Sequence, residues 1–384
     1  MTGNILDVLR DRGFVKEILN EEGLRAKMSG ESLTFYIGFD PTGDSLHVGH
    51  LVPIMCMRWL QKAGHNPIVV FGGGTAMVGD PSGKDKTREM LTAEKIDENL
   101  KGFRPIFEQF LDMDGVRICN NADWLLSLNY IAFLRDIGKH FSVNRMIKAE
   151  GTRQRLEREQ GFSFIEFNYH LLQSYDFLYL HKTYGCSLQV GGDDQWFHLC
   201  GGSDLIRRET GAEAYGFTIP LLTTSTGKKM GKTEKGAVWL NADKCSVYDY
   251  YQYWVNVSDA DVIQLMKLFT FMDMSDIAEY AHLQGADLRK AKARLAFEAT
   301  ALAHGQEEAI KVQKAAQAAF SGKSSGNMPT HTSTLPALIV NLIADTGLCK
   351  SRSDARRMVK GGAVKVDYGA GKEKVGGVEQ QLEK

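Results

Sequence analysis

Residues 33–50 read LTFYIGFDPTGDSLHVGH and decide the fold. The apolar run Leu33–Phe39 predicts a buried strand, and a helical pattern follows over His47–Ala63. A second strand is predicted over Pro67–Phe71. A strand, a helix and a strand in this order indicate a parallel βαβ unit. We therefore predict an α/β fold with a Rossmann-like, doubly wound parallel sheet, whose ligands lie beyond the carboxyl ends of the strands.

Outside this unit the pattern is mainly helical. A surface helix is predicted over residues 4–28, and further helices fill 92–110 and 129–182. A third strand, Ser187–Val190, enters a Gly-Gly turn. From Val247 to about Phe320 the chain is again predicted to be helical.

The end of the chain predicts a linker and a small basic unit. Residues 321–334 are rich in Ser, Gly and Thr, as linkers are. Residues 335–384 predict a small α+β unit, with helices over 335–346 and Ser351–Lys360 and a strand after them. Between Lys350 and Lys374 there are eight Lys or Arg and three Asp or Glu, although the formal net charge of the chain is −1. This local patch is the surface that the charge pattern favours for nucleic acid.

Composition favours a cytoplasmic globular protein. Hydrophobic residues make up 43% of the 384 residues and charged residues 24%, so sizeable cores are expected. The six cysteines are scattered without a C-x-x-C pair, which indicates a reducing compartment rather than a disulfide framework or a zinc site. We expect no membrane segment, because no apolar run approaches the length of a span.

The motif His47-Val48-Gly49-His50 brings two imidazoles to one side of a first helical turn. A helix N-terminus attracts phosphate, and donors there stabilise charge on a leaving pyrophosphate. Gly49 would let a flat base approach the backbone. A motif this short also fits two histidines that merely cap a helix.

A second motif, residues 228–233, reads KKMGKT between two glycines. Lys229 and Lys232 lie three apart and suit a triphosphate in a closing loop, whereas a solvated basic loop is the alternative. The stretch 79–85 resembles a P-loop, but its glycines are one residue too close. Lys84 and Arg88 within or after it are candidates to reach phosphate, or plain surface charges.

Two polar patterns complete the candidate site. Tyr169, Gln173 and Asp176 form one stripe of a helix and suit a pocket for a small zwitterion, although a stripe that faces water is the alternative. Gly192 and Asp194 follow the third strand, where a carboxylate can accept hydrogen bonds from ribose hydroxyls.

Together the histidine and lysine motifs resemble the two signatures of class I aminoacyl-tRNA synthetases. Four further patterns resemble bacterial-type tyrosyl-tRNA synthetases in particular, over nearly the whole chain: Tyr36 with Asp40-Pro41-Thr42, Gly79-Asp80-Pro81-Ser82, Tyr169 with Gln173 and Asp176, and Gly191-Gly192 with Asp194-Gln195-Trp196. The chain departs from the family pattern at Asp193, Phe197 and His198, where we expect Ser, Gly and Asn.

The resemblance implies three groups of site residues. The tyrosine phenol would be held by Tyr36 and Asp176, its ammonium by Asp80, Tyr169 and Gln173, and its carboxyl group by Gln195. The residues that would meet ATP are Gly38, Asp40, Gly49, Gly192, Asp194 and Lys232. The catalytic donors to the transferring phosphate and pyrophosphate would be His47, His50, Lys84, Arg88, Lys229 and Lys232.

The resemblance also implies the organisation and the reaction. A catalytic domain would span residues 1–240, with a dimerisation segment at about 115–185. A helical anticodon-recognition domain would follow at 241–320, and an RNA-binding domain at 335–384. The expected partners are L-tyrosine, ATP with Mg²⁺ but no dedicated protein metal site, tRNA(Tyr) and a second copy of the chain.

Three other readings remain open. A tryptophanyl enzyme would need a pocket for an indole N–H, to which Tyr36 and Asp176 are less suited than to a phenol. A small H-x-G-H nucleotidylyltransferase would need neither the lysine motif nor the basic terminal unit. A non-catalytic RNA-binding protein derived from a synthetase would not need both signatures intact.

Overall fold

The computed structural model describes residues 3–82, 91–157, 163–225, 230–233, 236–321, 331–349, 351–367 and 372–383. The chain forms two compact units, Met1–Lys323 and Ser324–Lys384. The division between them falls inside the segment predicted as a linker, of which residues 322–330 lie outside the described ranges.

The first unit is built on a six-stranded sheet with the strand order β1-β6-β5-β2-β3-β4. The pairs β2–β3, β2–β5, β3–β4 and β5–β6 are parallel, and the edge pair β1–β6 is antiparallel. The predicted doubly wound parallel sheet is confirmed, with one antiparallel edge added. The strands are β1 (Ile18–Leu19), β2 (Thr34–Phe39), β3 (Asn66–Phe71), β4 (Arg117–Asn120), β5 (Cys186–Gly192) and β6 (Tyr215–Ile219), and a separate two-stranded pair is β7 (Lys232–Thr233) and β8 (Gly236–Ala237).

Helices cover both faces of this sheet and form the second half of the unit. Their bounds are α1 (Ile5–Arg12), α2 (Glu21–Gly30), α3 (Val48–Lys62), α4 (Ala93–Lys101), α5 (Arg104–Phe110), α6 (Ala122–Leu125), α7 (Tyr130–Asp136), α8 (Val143–Lys148), α9 (Glu150–Glu157), α10 (Phe164–Tyr184), α11 (Trp196–Thr210), α12 (Val247–Val255), α13 (Val262–Phe269), α14 (Met274–Tyr280), α15 (Leu288–His304) and α16 (Gln306–Ser321).

Two hydrophobic clusters hold the first unit together. The larger one joins one face of the sheet to α1, α3, α5 and the helices of the second half, so Leu6, Trp59 and Trp254 belong to the same core. The smaller one lies on the other face, between the sheet and α10 and α11, around Phe177 and Leu205. Each face of a parallel sheet is thus covered by helices, as such sheets require.

One helical prediction was wrong in its boundaries. The single surface helix expected over 4–28 is two helices, because Gly13 has a positive φ that ends α1 and Ile18–Leu19 forms the edge strand. The apolar face of α1 is buried, as Leu6 and Leu9 show. The helical region expected over 129–182 is broken into four helices, and Ser163 starts the last of them by accepting a hydrogen bond from the Glu166 amide.

The second unit has its own small core. Helices α17 (Ile339–Asp345) and α18 (Arg352–Lys360) pack with two strand pairs, β9 (Ala337–Leu338) with β12 (Gln381–Leu382) and β10 (Lys365–Asp367) with β11 (Lys372–Lys374). Ile339, Val340 and Ala355 are buried at its centre. The predicted α+β unit of two helices and a strand is therefore present, with the strand paired in a hairpin.

Candidate functional site

The candidate site lies where the strand order reverses. From β2 the chain proceeds outward through β3 and β4, and then returns to β5 on the other side of β2. A cleft of about 1050 Å³, open to solvent, begins at the carboxyl ends of β2 and β5, as expected for a doubly wound sheet. It is lined by eleven of the predicted residues: Tyr36, Gly38, Asp40, His50, Asp80, Tyr169, Gln173, Asp176, Gly192, Asp194 and Gln195.

The two histidines of the first motif cap the helix and each other. His47 is the N-cap of α3, and its Nδ1 accepts a hydrogen bond from the Gly49 amide at 3.0 Å. The His47 amide donates to Nδ1 of His50 at 3.2 Å. A Cβ at position 49 would lie 2.7 Å from the His47 ring, so only glycine allows this arrangement. The capping alternative is therefore correct as geometry, and the hydrogen bonds that make the cap use Nδ1 of each ring.

This capping determines which nitrogen of each ring carries the proton. A ring nitrogen that accepts an amide hydrogen carries none, so a neutral imidazole keeps its proton on Nε2. Burial, together with the neighbouring His47, lowers the pKa of His50 below its ordinary value. His50 is therefore neutral at pH 7 and, since it lines the cleft, offers an Nε2–H donor beside the N-terminus of α3.

At the opposite end of the cleft lies a buried carboxylate. Asp176 on α10 is 3% exposed. It accepts hydrogen bonds from Nδ2 of Asn121 at 2.9 Å and from Nε1 of Trp124 at 2.7 Å. Burial raises the pKa of Asp176 to about 7, against the opposite effect of these two hydrogen bonds. A polar group at this depth requires partners, and a ligand hydroxyl would add one.

The phenol of Tyr36 lines the same end and is 2% exposed. Among the described residues its hydroxyl has no hydrogen-bond partner. Burial, with Asp176 as a second cause, raises the pKa of Tyr36 well above its ordinary value, so the hydroxyl keeps its proton. An unpaired buried hydroxyl costs free energy in the empty protein, and a polar ligand atom would remove that cost.

The predicted stripe on α10 faces the cleft and not the solvent. Tyr169 is 4% exposed, and its hydroxyl donates to Oδ2 of Asp40 at 3.1 Å. The other oxygen of Asp40 accepts from the Thr75 hydroxyl at 2.9 Å. Gln173, one turn along the stripe, also lines the cleft.

A second carboxylate in the cleft is Asp80. Its Oδ2 accepts from Nε2 of Gln195 at 2.9 Å, and its Oδ1 accepts from the Ser82 amide at 2.8 Å. Asp80 is 8% exposed. An acceptor pair held in this way, beside Tyr169 and Gln173 in the cleft, suits a bound ammonium group.

The turn after β5 carries the other predicted carboxylate. Asp194 lies at the mouth of the cleft, and a Cβ at position 192 would be 2.7 Å from its Oδ1, so Gly192 makes room for it. Asp193 points away and pairs with Lys16 beside the edge strand. The aspartate at position 193 therefore forms an ion pair outside the cleft and is not among the residues that line it.

The lysine motif is described only in part. Lys84, Arg88 and Lys229 lie outside the described residues, and Lys232 is described only as backbone in β7. The segment after the motif reaches the histidines, because the Val48 amide donates to the carbonyl of Val238 at 2.9 Å.

The prediction did not include Thr75 and Asn121, which line the cleft, or Trp124, which donates a hydrogen bond to Asp176. Asn121 follows β4, a strand that the sequence analysis missed because Arg117–Asn120 is short and partly polar. Asn121 and Trp124 act on Asp176 across more than 50 residues, a contact that no local pattern shows. A usable signal was the pair Asn120-Asn121 at a possible strand end.

In the small unit, α18 carries an exposed basic stripe. Arg352, Arg356 and Lys360 are all exposed, whereas Ala355 and Val359 on the other face are buried. The neighbouring Lys350 lies outside the described residues.

The described part of the chain has neither a metal-ligand cluster nor a helix suited to span a membrane. It contains no group of three or more His, Cys, Asp or Glu side chains arranged to hold a metal ion. In the same ranges, no helix is long and apolar enough to cross a membrane.

Sequence families match both units. Residues 28–321 match the class I tRNA synthetases (W and Y), and residues 339–369 match the S4 domain. A tyrosine–tRNA ligase from Acetivibrio thermocellus is 53% identical over 372 residues, which are 95% of this chain and 91% of the relative. One from Clostridium botulinum is 50% identical over 368 residues, which are 94% of this chain and 90% of the relative.

Solved structures share the fold. A C-terminally truncated mitochondrial tyrosyl-tRNA synthetase from Aspergillus nidulans has a TM-score of 0.74 and 29% identity, and the match covers 83% of this chain and 94% of that one. A tryptophanyl-tRNA synthetase from Encephalitozoon cuniculi has a TM-score of 0.60 at 14% identity, over 79% of this chain and 87% of that one. The second likeness concerns the fold alone.

Proposed function

The chain belongs to the class I tRNA synthetases of the W and Y family, and we propose from this premise and from the cleft that it is a tyrosine–tRNA ligase. It activates L-tyrosine with ATP and transfers the tyrosyl group to the 3′ end of its tRNA. The observation that carries the choice of amino acid is the buried pair of Tyr36 and Asp176 at the closed end of the cleft.

A phenol fits this pair by its hydrogen-bonding capacity. Asp176 already accepts from Asn121 and Trp124, and each carboxylate oxygen has a further lone pair for a phenol O–H. The partnerless hydroxyl of Tyr36 can donate to the phenol oxygen. Phenylalanine would leave the Tyr36 hydroxyl without a partner and would offer no hydrogen to the remaining lone pairs of Asp176, which is how such a site rejects an analogue without the hydroxyl.

The polar groups along the cleft indicate how the ammonium and carboxylate groups of the amino acid bind. Asp80, Tyr169 and Gln173 bind the ammonium group, and Gln195 lies beside Asp80, where the carboxylate of the substrate begins. This orientation directs the carboxylate towards α3, whose N-terminus and His50 are the donors for phosphate.

ATP binds across the carboxyl ends of β2 and β5. Gly38 and Asp40 follow β2, Gly192 and Asp194 follow β5, and Asp194 accepts hydrogen bonds from the ribose. Gly49 keeps the start of α3 open to the base. Mg²⁺ arrives with ATP and requires no protein site of its own.

The first chemical step is an in-line displacement at the α-phosphorus. A carboxylate oxygen of tyrosine forms the new P–O bond, and the bond to the pyrophosphate oxygen breaks, which gives tyrosyl-adenylate and pyrophosphate. The carboxylate is already ionised, so the step needs no protein nucleophile and no general base. His47 and His50 stabilise the charge on the phosphate, and Lys84, Arg88, Lys229 and Lys232 stabilise the pyrophosphate; positioning and charge stabilisation supply the rate.

In the second step the tRNA brings its own nucleophile. A terminal ribose hydroxyl attacks the carbonyl carbon of the adenylate, and AMP leaves. We assign recognition of the tRNA to the helical region 241–320 and to residues 335–384, where Arg352, Arg356 and Lys360 form an exposed basic stripe. The reaction takes place in the cytoplasm, where tRNA is charged.

We further propose a homodimer through the segment at about 115–185. Large apolar side chains are exposed on it, including Ile131 at 70% and Phe164 at 69%. Large apolar side chains left exposed in one segment are typical of an interface with another chain. Replacing Ile131 with Asp is expected to raise the dimer dissociation constant, measured by analytical ultracentrifugation, whereas Ile310→Asp on α16 is the exposed control.

The experiment that tests the function is ATP–pyrophosphate exchange with each amino acid in turn. Exchange with tyrosine alone is the expected result. Exchange with tryptophan would replace the proposal by a tryptophanyl enzyme, and no exchange with any amino acid would favour a non-catalytic RNA-binding protein. A chain without residues 335–384 is expected to keep tyrosine-dependent exchange and lose most of its tRNA charging.

A further inference from the structure

Two buried imidazoles lie behind the ammonium end of the cleft and have no part in the roles assigned above. His170 on α10 is 6% exposed and His198 on α11 is 5% exposed. Their Nδ1 atoms are 3.0 Å apart. Phe197 stacks on His170 at 3.9 Å between ring centroids, and a Cβ at Gly201 would lie 2.3 Å from the same ring. The two helices are thus shaped around this pair.

A chain of contacts leads from the pair to Asp80. Nε2 of His198 lies 2.9 Å from the Ser82 hydroxyl and 3.9 Å from Oδ1 of Asp80. The Ser82 amide donates to the same Oδ1 at 2.8 Å. His198 therefore holds the turn on which the orientation of the Asp80 carboxylate depends.

The contact between the two Nδ1 atoms limits which ring nitrogens of His170 and His198 can carry a proton. One Nδ1 must donate and the other must accept, and burial lowers the pKa of both imidazoles, with Asp80 acting in the opposite sense at His198. Both rings are therefore neutral and carry one proton each. The negative charge of Asp80 favours a proton on the nitrogen of His198 that faces it, which is Nε2. His170 is then the donor in the pair.

We propose that His170 and His198 are a positioning pair for the amino-acid site: His170 holds His198 in the Nε2–H tautomer, and His198 orients Ser82 and Asp80 towards the substrate ammonium. The pair is a property of this chain, because His198 stands where the family resemblance leads us to expect asparagine. The inference rests on the proposed function, since it takes Asp80 as the ammonium acceptor.

The kinetic test compares two substitutions of His170. His170→Leu removes the donor, whereas His170→Asn keeps an N–H near the position of Nδ1. In tyrosine-dependent exchange, His170→Leu is expected to raise the KM for tyrosine by about tenfold, the size of one lost hydrogen bond to a polar network, with the KM for ATP unchanged. His170→Asn is expected to restore most of the loss.

His65 provides a matched control. It is also buried, at 4% exposure, and its Nδ1 accepts from the Leu33 amide at 3.2 Å, away from the cleft. His65→Leu is expected to lower the unfolding temperature and leave the KM for tyrosine unchanged. If His170→Leu behaves in the same way, or raises both KM values equally, the pair is only packing and the inference is wrong.

A spectroscopic test does not depend on activity. In the full chain labelled with ¹⁵N-histidine, the ring of His198 is expected to show a protonated Nε2 and a bare Nδ1, and in His170→Leu a mixture of tautomers. A proton on Nδ1 of His198 in the unsubstituted chain would overturn the proposal. Failure of that chain to activate tyrosine would refute the proposed function instead, and would leave the tautomer result standing.

Discussion

The two ends of the cleft are built in different ways. At the closed end, Tyr36 and Asp176 are buried, and Asp176 is held by side chains from two other segments, Asn121 and Trp124. At the open end, His47 and His50 are held by backbone amides of the helix on which they stand. The closed end depends on tertiary contacts, and the open end depends on local structure.

This difference separates selection from chemistry. Polar groups buried without water discriminate strongly, because a wrong ligand leaves them unpaired. Donors at a helix start act on charge that develops during the reaction. Substitutions at the closed end are therefore expected to change which amino acid is used, and substitutions at the open end to change how fast it reacts.

The largest effect is expected from Asp176→Ala. It removes the acceptor of the phenol and leaves Asn121 and Trp124 with unpaired donors, so kcat/KM for tyrosine should fall by about 10⁴ or more, as known for sites that bond a substrate hydroxyl, tyrosyl-tRNA synthetases among them. Steady-state exchange measures it, and Asp136→Ala, an exposed aspartate paired with Arg135, is the control. Near-normal tyrosine kinetics would remove Asp176 from the pocket.

A smaller effect is expected from Lys232→Ala, which should lower kcat by roughly 10²–10³, the size of one lost donor to a charged transition state. Tyrosine affinity, measured by equilibrium titration without ATP, should not change. The control is Lys182→Ala, which removes an exposed lysine that pairs with Glu209 and should leave kcat unchanged. A large loss of tyrosine binding with unchanged turnover would assign Lys232 to the pocket instead.

Tyr36→Phe gives a smaller and more specific change. The KM for tyrosine should rise about tenfold, with kcat unchanged, and discrimination against phenylalanine should fall. Because the hydroxyl has no partner among the described residues, its removal should raise the free energy of unfolding by about 1 kcal/mol. Chemical denaturation without ligand checks this second part, and a loss of stability would show that the hydroxyl is paired in the empty protein.

The raised pKa of Asp176 predicts a pH dependence of stability. The folded chain keeps this proton up to a pH of about 7, whereas an ordinary carboxyl group with a pKa of 3.8 has lost it. Between these values the folded state binds more protons, so the free energy of unfolding falls as pH rises, by about 1 kcal/mol per pH unit. Measured between pH 5 and 7, the difference in free energy of unfolding between the original chain and Asp176→Asn should shift by about 2 kcal/mol. A constant difference would mean that Asp176 is ionised throughout.

The same contrast explains which parts of the site could be predicted. His47, His50 and the α10 stripe show their spacing in the sequence, because one helix turn sets their geometry. The partners of Asp176 could not be found in this way, since Asn121 depends on β4 and on a contact across 55 residues.

The same holds for the fold: elements with a local sequence pattern could be predicted, and elements that depend on distant contacts could not. The apolar strands β2, β3 and β5 and the helix α3 follow from hydrophobic pattern alone. The edge strand β1 is only two residues long and is formed by pairing with Phe217 and Gly216, nearly 200 residues away. Short edge strands of this kind carry no pattern of their own, so the first 30 residues looked like a continuous helix.

The central claim, that selection and chemistry are separate, is tested most directly by combining Tyr36→Phe with Lys232→Ala and measuring kcat/KM for tyrosine in exchange. If the two substitutions act independently, their losses in kcat/KM multiply in the double variant. The coupling free energy between them is then below about 0.5 kcal/mol. A double variant that loses no more than Lys232→Ala alone, or far more than the product, would contradict the account, because each end would then depend on the other.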